Sequence, residues 1–392
     1  MNNIYIIDTE TNNKNKLIGN FTANPHYRGN EIVHAGIKRL GALGVTVLDK
    51  YDTRGIEYFC ADADLLVGQN IKFDLLYLMR DDKFRNEVLP NLRIWDTMQV
   101  EYLLSGQQKR FPTLDYLSEK YGGTLKDKRL EEMWAEGVDT EDIDEGIVIP
   151  YLEADVTNTE LAFKKQLVLA NEANMLQLIK SQMDAILATA EMEYNGMYFN
   201  KKEALHKAKI LSSIRDVLHK SCFDFMKMRM HTDTPNVDSV DDVSLTLFGG
   251  QEKVVIDKPI LDESGNPVKY KSGARKGTTR TKKETIMRRI SSCVHGRLAI
   301  EREKKKGFYS VSNDVLKNIY KDSSTHRKPR DFVRALMEYR TVTKDLKTYY
   351  KGYSELVWPH DNCIHGTYNH CQTATGRLSH SNPNLGNVSH KE

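Results

Sequence analysis

The run Asn3 to Asp8, NIYIID, constrains the fold more than any other stretch. It is short, apolar and rich in β-branched side chains, the pattern of a buried strand. Its end is acidic, Asp8-Thr9-Glu10. Side chains two apart on a strand point to one face, so these two carboxylates converge. Further strand patterns are GVTVLDKYD at 44–52 and ADLLVGQN at 63–70. Helical patterns follow at 71–82, about 96–105, 112–122 (closed by Gly122) and 149–167, with Pro150 in the first turn of the last. Strands mixed with helices predict an α/β domain over residues 1–165.

The texture then changes. Met175, Ile179, Met183 and Leu187 recur every four residues, with Leu176 and Ala190 beside them, which is one buried helix face. MEYNGMYFN at 192–200 breaks that pattern, and a second helix is expected over about 201–228. Residues 250–285 are poor in apolar side chains and rich in Gly, Lys and Thr, which predicts a loop or mobile arm. Helical patterns resume near 284–305 and 313–358. A mainly α-helical region is therefore expected over 166–358, carrying a basic arm at about 266–306. No internal repeat is visible.

At 392 residues the chain is too long for one ordinary core. With 40% hydrophobic and 28% charged residues, its composition is that of a soluble globular protein. No apolar run approaches the roughly 18 residues of a membrane span, and the N-terminus lacks a signal-peptide pattern. No membrane partner is expected. The five cysteines are scattered and form no C-x-x-C pair, which fits a reducing compartment such as the cytoplasm. The net charge is only +3, but between Lys269 and Lys306 fourteen Lys and Arg face three Glu, an excess of eleven. Lys282, Lys283 and Arg288 lie in this run. Such a run is often a solvated arm. Against a polyanion it becomes a phosphate-binding surface, sequence-independent and sensitive to salt.

Three short patterns carry chemistry. Asp8-Thr9-Glu10 ends a strand. Asn70-Ile-Lys-Phe-Asp74 places Asp74 in the first turns of a helix that follows a strand. Tyr151-Leu-Glu-Ala-Asp155 puts a phenol and a carboxylate on one helix face, because residues i and i+4 are neighbours there. Alone, each pattern is commonplace. Their order and their places at strand ends and helix starts give them weight. Four carboxylates brought together raise one another's pKa unless a cation intervenes. Oxygen ligands suit Mg²⁺ or Mn²⁺, and two such ions can activate water and stabilise a leaving oxygen.

DTET, VGQNIKFD and YLEADVTNT resemble the three motifs of the DEDD-type 3′–5′ proofreading exonucleases, tyrosine subtype. The likeness spans about residues 1–165 and includes RIWDTMQVEYLL and TLDYLSEKYG. It implies a ribonuclease-H-like sheet. It also implies that Asp8, Glu10 and Asp155 hold a first metal ion, that Asp8 bridges to a second with Asp74 reaching it partly through water, and that Tyr151 orients the attacking water. Relatives often carry His where this chain has Gln69, which can still donate a hydrogen bond. Asp96 reads as a helix N-cap or a supporting group, and Asn70 as a DNA contact.

Downstream, EMEYNGMYFN, PNVDSVDDVSLTLFGG, FYSVSNDVLKNI and LMEYRTVTKDLKTYYKGYSEL resemble the thumb of family A DNA polymerases, the group of bacterial DNA polymerase I and several phage replicases. CIHGTYNHCQTATGRLSHSNPNLGNV resembles the stretch before that family's first palm motif, so residues 359–392 are expected to start a palm. The resemblance implies that Arg377 contacts the minor groove of the primer-terminal pair, with Asn384 and Asn387 weaker candidates for DNA contacts. His360-Asp361-Asn362 precedes this segment, so it is not the His-Asp-Glu turn of the palm. The remaining palm and fingers motifs are absent from the sequence.

The expectation is therefore a proofreading 3′–5′ exodeoxyribonuclease with two Mg²⁺ or Mn²⁺ ions, acting on single-stranded 3′ ends and primer-template DNA in replication. It would be part of a split or interrupted polymerase, with a second polypeptide supplying palm and fingers for nucleotidyl transfer. A phage source and the host cytoplasm fit this expectation. Other readings are a freestanding exonuclease and a non-catalytic DNA-binding assembly subunit.

Overall fold

The computed structural model describes residues 3–16, 22–50, 52–125 and 127–388. It divides into two compact units, Met1–Lys201 with Tyr353–Glu392, and Lys202–Gly352. Among the described residues, no helix is long and apolar enough to cross a membrane.

The first unit is built on a mixed sheet of β1 (Ile4–Thr11), β2 (Ile32–Arg39), β3 (Thr46–Asp49), β4 (Leu65–Gly68) and β5 (Ile94–Asp96), with α1 (Thr53–Asp62) between β3 and β4. The order is β3-β2-β1-β4-β5. β1 pairs antiparallel with β2 and parallel with β4, so the NIYIID run is central, and Ile6, Ile7 and Val67 are fully buried. The helices are α2 (Lys72–Leu78), α3 (Thr97–Leu104), α4 (Leu114–Tyr121), α5 (Arg129–Ala135), α6 (Glu145–Glu172) and α7 (Leu176–Asn195). α6 packs across β1, β2 and β4. Its approach is close: a Cβ at Gly36 would lie 2.9 Å from Val156 Cγ2 and 3.0 Å from Leu152 Cγ. Phe163 of α6 meets Trp95 edge to face at 5.3 Å.

The sequence reading missed β2, α1, β5 and α5. It also placed Pro150 in the first turn of a helix beginning at 149. The helix in fact starts at Glu145, because Asp144 caps it by accepting from the Gly146 N–H at 2.8 Å. Pro150 therefore sits inside the helix. The domain boundary expected at 165 falls within α6, which runs unbroken to Glu172, and the first unit includes α7 as well. A short strand β6 (Met197–Tyr198) follows.

The second unit contains α8 (Lys201–Arg229, apart from its first residue), α9 (Val240–Phe248), a hairpin of β7 (Gly250–Pro259) and β8 (Thr281–Ile290), α10 (Asn313–Lys321) and α11 (Arg327–Asp345). The hairpin corrects two expectations, the loop at 250–285 and the helix at 284–305. Its strands carry β-branched residues, and the register sets Val254 against Ile286, Glu252 against Arg288 and Asp257 against Lys283. An ion pair across the strands, Lys258 with Glu284 at 3.0 Å, adds to the ladder where apolar content is low. The helix expected over 313–358 is interrupted after Lys321, where Asp322 accepts from the Ser324 N–H at 3.0 Å. Leu316, Ile319, Val333 and Leu336 form the centre of this unit's core.

Gly249 ends α9 with φ +73, and a Cβ there would lie 2.5 Å from the Ile290 carbonyl oxygen. Both the conformation and the space exclude a side chain. Gly249→Ala is expected to destabilise the protein by more than about 1 kcal/mol, seen as a lower urea midpoint. An unchanged midpoint would contradict this close approach.

Residues after Tyr353 return to the first unit. β9 (Cys363–Ile364) pairs with β6, and β10 (Thr367–Asn369) forms a hairpin with β11 (Ser379–Ser381). Cys371 is buried in the first core, its thiol 2.8 Å from Gln99 Oε1. The expected palm start thus packs on the sheet unit, and its last residues, 389–392, lie outside the described residues.

Candidate active site

The end of β1 carries the site. Asp8 and Glu10 share a face there, and α6 crosses it with Asp155. Carboxylate oxygens of Asp8, Glu10 and Asp155 lie within 4.8 Å of one another. Glu10 and Asp155 are buried. Three negative charges at this separation repel strongly where water is scarce. A divalent cation relieves that repulsion, and an all-oxygen donor set suits a hard ion such as Mg²⁺ or Mn²⁺.

Tyr151 lies one turn before Asp155 on α6, also buried, with its ring edge-on to Trp134 of α5 at 5.9 Å. Trp134 Nε1 donates to Thr140 Oγ1 at 3.1 Å, and Thr140 Oγ1 donates to the Thr11 carbonyl at 2.7 Å. The wall behind the phenol is thereby tied to the end of β1. Sequence reasoning missed this wall, because the partners are more than a hundred residues apart in the chain.

Asp74 is not part of the three-carboxylate group. It lies on α2, buried, and accepts from Thr9 Oγ1 at 2.5 Å, the residue between Asp8 and Glu10. Burial pushes its carboxyl from 3.8 up to about 7, the charge of Asp96 adds to this, and the Thr9 hydrogen bond opposes it. Asp96 is the N-cap of α3, accepting from the N–H groups of Met98 and Gln99, as its position in the sequence suggested. It also accepts from the Asn70 N–H at 3.0 Å, and burial lifts it to about 6.

Asn70 turns the chain from β4 into α2 with φ 55, a conformation that Asn tolerates. Gln69 donates to the Pro112 carbonyl at 2.8 Å and accepts from Thr97 Oγ1 at 2.5 Å. Asn70 lines a cleft of about 770 Å³ together with Lys72, Phe73, Phe111 and Tyr368. Lys72 is paired with Glu193 at 2.5 Å. Phe111, half-exposed with φ 45, was not singled out in the sequence; an aromatic followed directly by Pro112 was the available signal.

The other expected DNA contacts lie elsewhere. Lys282, Lys283 and Arg288 are exposed on β8 of the second unit. Arg377 is exposed between β10 and β11, its carbonyl accepting from Thr373 Oγ1 at 2.8 Å, and no described residue forms an ion pair with it. Asn384 is exposed, and its carbonyl accepts from Tyr353 at 3.3 Å. The side chain of Asn387 lies outside the described residues.

Residues 287–392 match the family model for DNA polymerase family A. The chain is similar to DNA polymerase I of Chloroflexus aurantiacus, 30% identical over 135 residues, which are 33% of this chain and 12% of that protein. It is similar to the thermostable DNA polymerase I of Thermus aquaticus, 36% identical over 90 residues, 23% of this chain and 10% of that protein. The chain thus aligns with only about a tenth of the length of these relatives. In fold it is similar to the POL domain of Pol1 from M. smegmatis, solved in complex with DNA primer-template and dNTP. There the TM-score is 0.64 at 15% identity, covering 99% of this chain and 53% of that one.

Proposed function

We propose that this chain, family A DNA polymerase-like over residues 287–392, carries a metal-dependent 3′–5′ exodeoxyribonuclease in its first unit. The observation that carries this reading is the convergence of Asp8, Glu10 and Asp155 within 4.8 Å, with Tyr151 one turn away on the same helix. The mixed five-stranded sheet is consistent with the ribonuclease-H-like core that the sequence resemblance implies. Asp8, Glu10 and Asp155 would hold a first ion, and Asp8 with Asp74 a second. When bound, two such ions activate a water and stabilise the leaving oxygen of a phosphodiester. Tyr151, held edge-on against Trp134, presents its hydroxyl to orient the water. Phe111 and Asn70 at the cleft offer a stacking face and an amide for a frayed 3′-terminal base.

The same proposal extends to proofreading of primer-template DNA, with Arg377 and Asn384 as DNA contacts. The test is incubation of single-stranded DNA, labelled at its 5′ end, with purified protein and Mg²⁺ or Mn²⁺. Progressive shortening from the 3′ end, with release of nucleoside monophosphates and arrest by EDTA, is expected. Intact DNA with both metals would refute the proposal.

The basic hairpin supplies affinity rather than chemistry. Lys282→Ala, Lys283→Ala and Arg288→Ala together are expected to weaken binding of any DNA sequence equally. The slope of log affinity against log salt should fall by about 2 for single-stranded DNA, at about 0.7 per lost phosphate contact. An unchanged slope in a filter-binding series would remove these residues from the interface.

A further inference from the structure

A second convergence of metal-type ligands lies in the first unit, outside the carboxylate site. It is formed by His360, Asp361 and His365, in the turn that leads into β9 and just beyond it, and their ligand atoms lie within 4.8 Å of one another. Asp361 Oδ2 is 2.9 Å from His365 Nε2 and 3.2 Å from His360 Nε2. Two imidazole nitrogens therefore face one carboxylate oxygen.

The hydrogen bonds fix the tautomer of His365. Its Nδ1 lies 2.7 Å from the Glu193 carbonyl oxygen. A carbonyl only accepts, so Nδ1 carries the hydrogen and Nε2 of the neutral ring is a lone pair. That lone pair points at a carboxylate oxygen, which is also an acceptor. Two acceptors at this distance need a cation between or beside them, either an extra proton or a metal ion.

The surroundings hold the ligands in place. The Cys363 N–H donates to Asp361 Oδ1 at 2.8 Å, which leaves Oδ2 for the two rings. His26 stacks on His365 at 4.0 Å. Opposite, Gly196 leaves no room: a Cβ there would lie 2.8 Å from His365 Cε1. The His365 side chain is 2% exposed, whereas those of His360 and Asp361 are 21% and 32% exposed, so an ion can reach the group from solvent.

We propose that His360, Asp361 and His365 bind one divalent cation of the zinc class, which locks residues 360–365 around β9; the His365 ring joins that loop to α7 through its hydrogen bond to the Glu193 carbonyl. Two imidazoles and one carboxylate suit a borderline ion better than Mg²⁺. A ring N–H given to a backbone carbonyl is the supporting contact typical of a metal-bound histidine. Bonds of about 2.0–2.1 Å in a tetrahedron set ligand atoms about 3.3 Å apart, against 2.9 and 3.2 Å from Asp361 Oδ2 to the two rings. The fourth position is left to water.

The test is titration of EDTA-stripped full chain with Co²⁺, read by visible absorption and back-titrated with Zn²⁺. It is made in the Asp8→Ala/Glu10→Ala background, so that the carboxylate site contributes nothing. One equivalent of Co²⁺, displaced by Zn²⁺, is expected, and Zn²⁺ should raise the melting temperature. Adding His360→Gln or Asp361→Asn should remove both effects; each lies at the surface, and circular dichroism checks the fold. No Co²⁺ uptake in the Asp8→Ala/Glu10→Ala chain would mean that a proton fills the gap and would overturn the proposal. Undiminished uptake in both added variants would overturn it as well. Neither result depends on nuclease activity.

Discussion

Asp8→Ala with Glu10→Ala is expected to lower Mg²⁺-dependent release of nucleotides from single-stranded DNA by about a thousandfold or more. Asp8 and Glu10 are two of the three carboxylates within 4.8 Å of one another. Without them Asp155 is the one carboxylate of that group left, and it offers a cation one charge and few ligand atoms. The fold should survive, because both residues lie at the end of β1, beyond the fully buried Ile6 and Ile7. DNA binding at low salt should persist, because the basic hairpin is untouched. A variant that degrades DNA as fast as the parent would sink the site assignment. A variant that fails to fold would show instead that these carboxylates are structural.

The parts of this site that were legible in the sequence were the local ones. Asp8 and Glu10 follow from strand alternation, and Tyr151 with Asp155 from helix periodicity. Asp96 at the start of α3 reads as a cap from its position alone. What could not be read depends on distant partners. Trp134 and Thr140 become a wall only because Thr140 reaches back to Thr11. Cys371 is buried because its segment returns to α3, which no local pattern announces. The hairpin of β7 and β8 was hidden for a different reason. Its strands are charged, and no two-residue turn links Pro259 to Thr281, so the usual hairpin signal is missing. Stability there comes from pairs such as Lys258 with Glu284, 3.0 Å apart, which exist only once the register is set.

Asp74→Asn is expected to stabilise the metal-free protein while abolishing its nuclease activity. Burial raises the Asp74 carboxyl from 3.8 to about 7 in the folded chain. The unfolded chain ionises this group near its ordinary value. Between those two values the folded state keeps a proton that the unfolded state releases, so stability falls as pH rises through the window. Above it the loss is complete and constant. The rise from 3.8 to about 7 corresponds to about 4 kcal/mol, and relaxation around the charge should reduce this to about 2–4 kcal/mol. Asn has the same shape and can still accept from Thr9, but it never ionises. In EDTA at about pH 8 the variant should therefore melt higher, by roughly 5–10 °C, and the gap should close below about pH 3, where both states of the parent hold the proton. Mg²⁺ should narrow the gap at high pH, because a cation near Asp74 stabilises its charged form. A gap independent of pH would refute the burial argument, and one indifferent to Mg²⁺ would place Asp74 away from the ion. A carboxylate kept where it weakens the fold at neutral pH is accounted for by the ion it would help to hold.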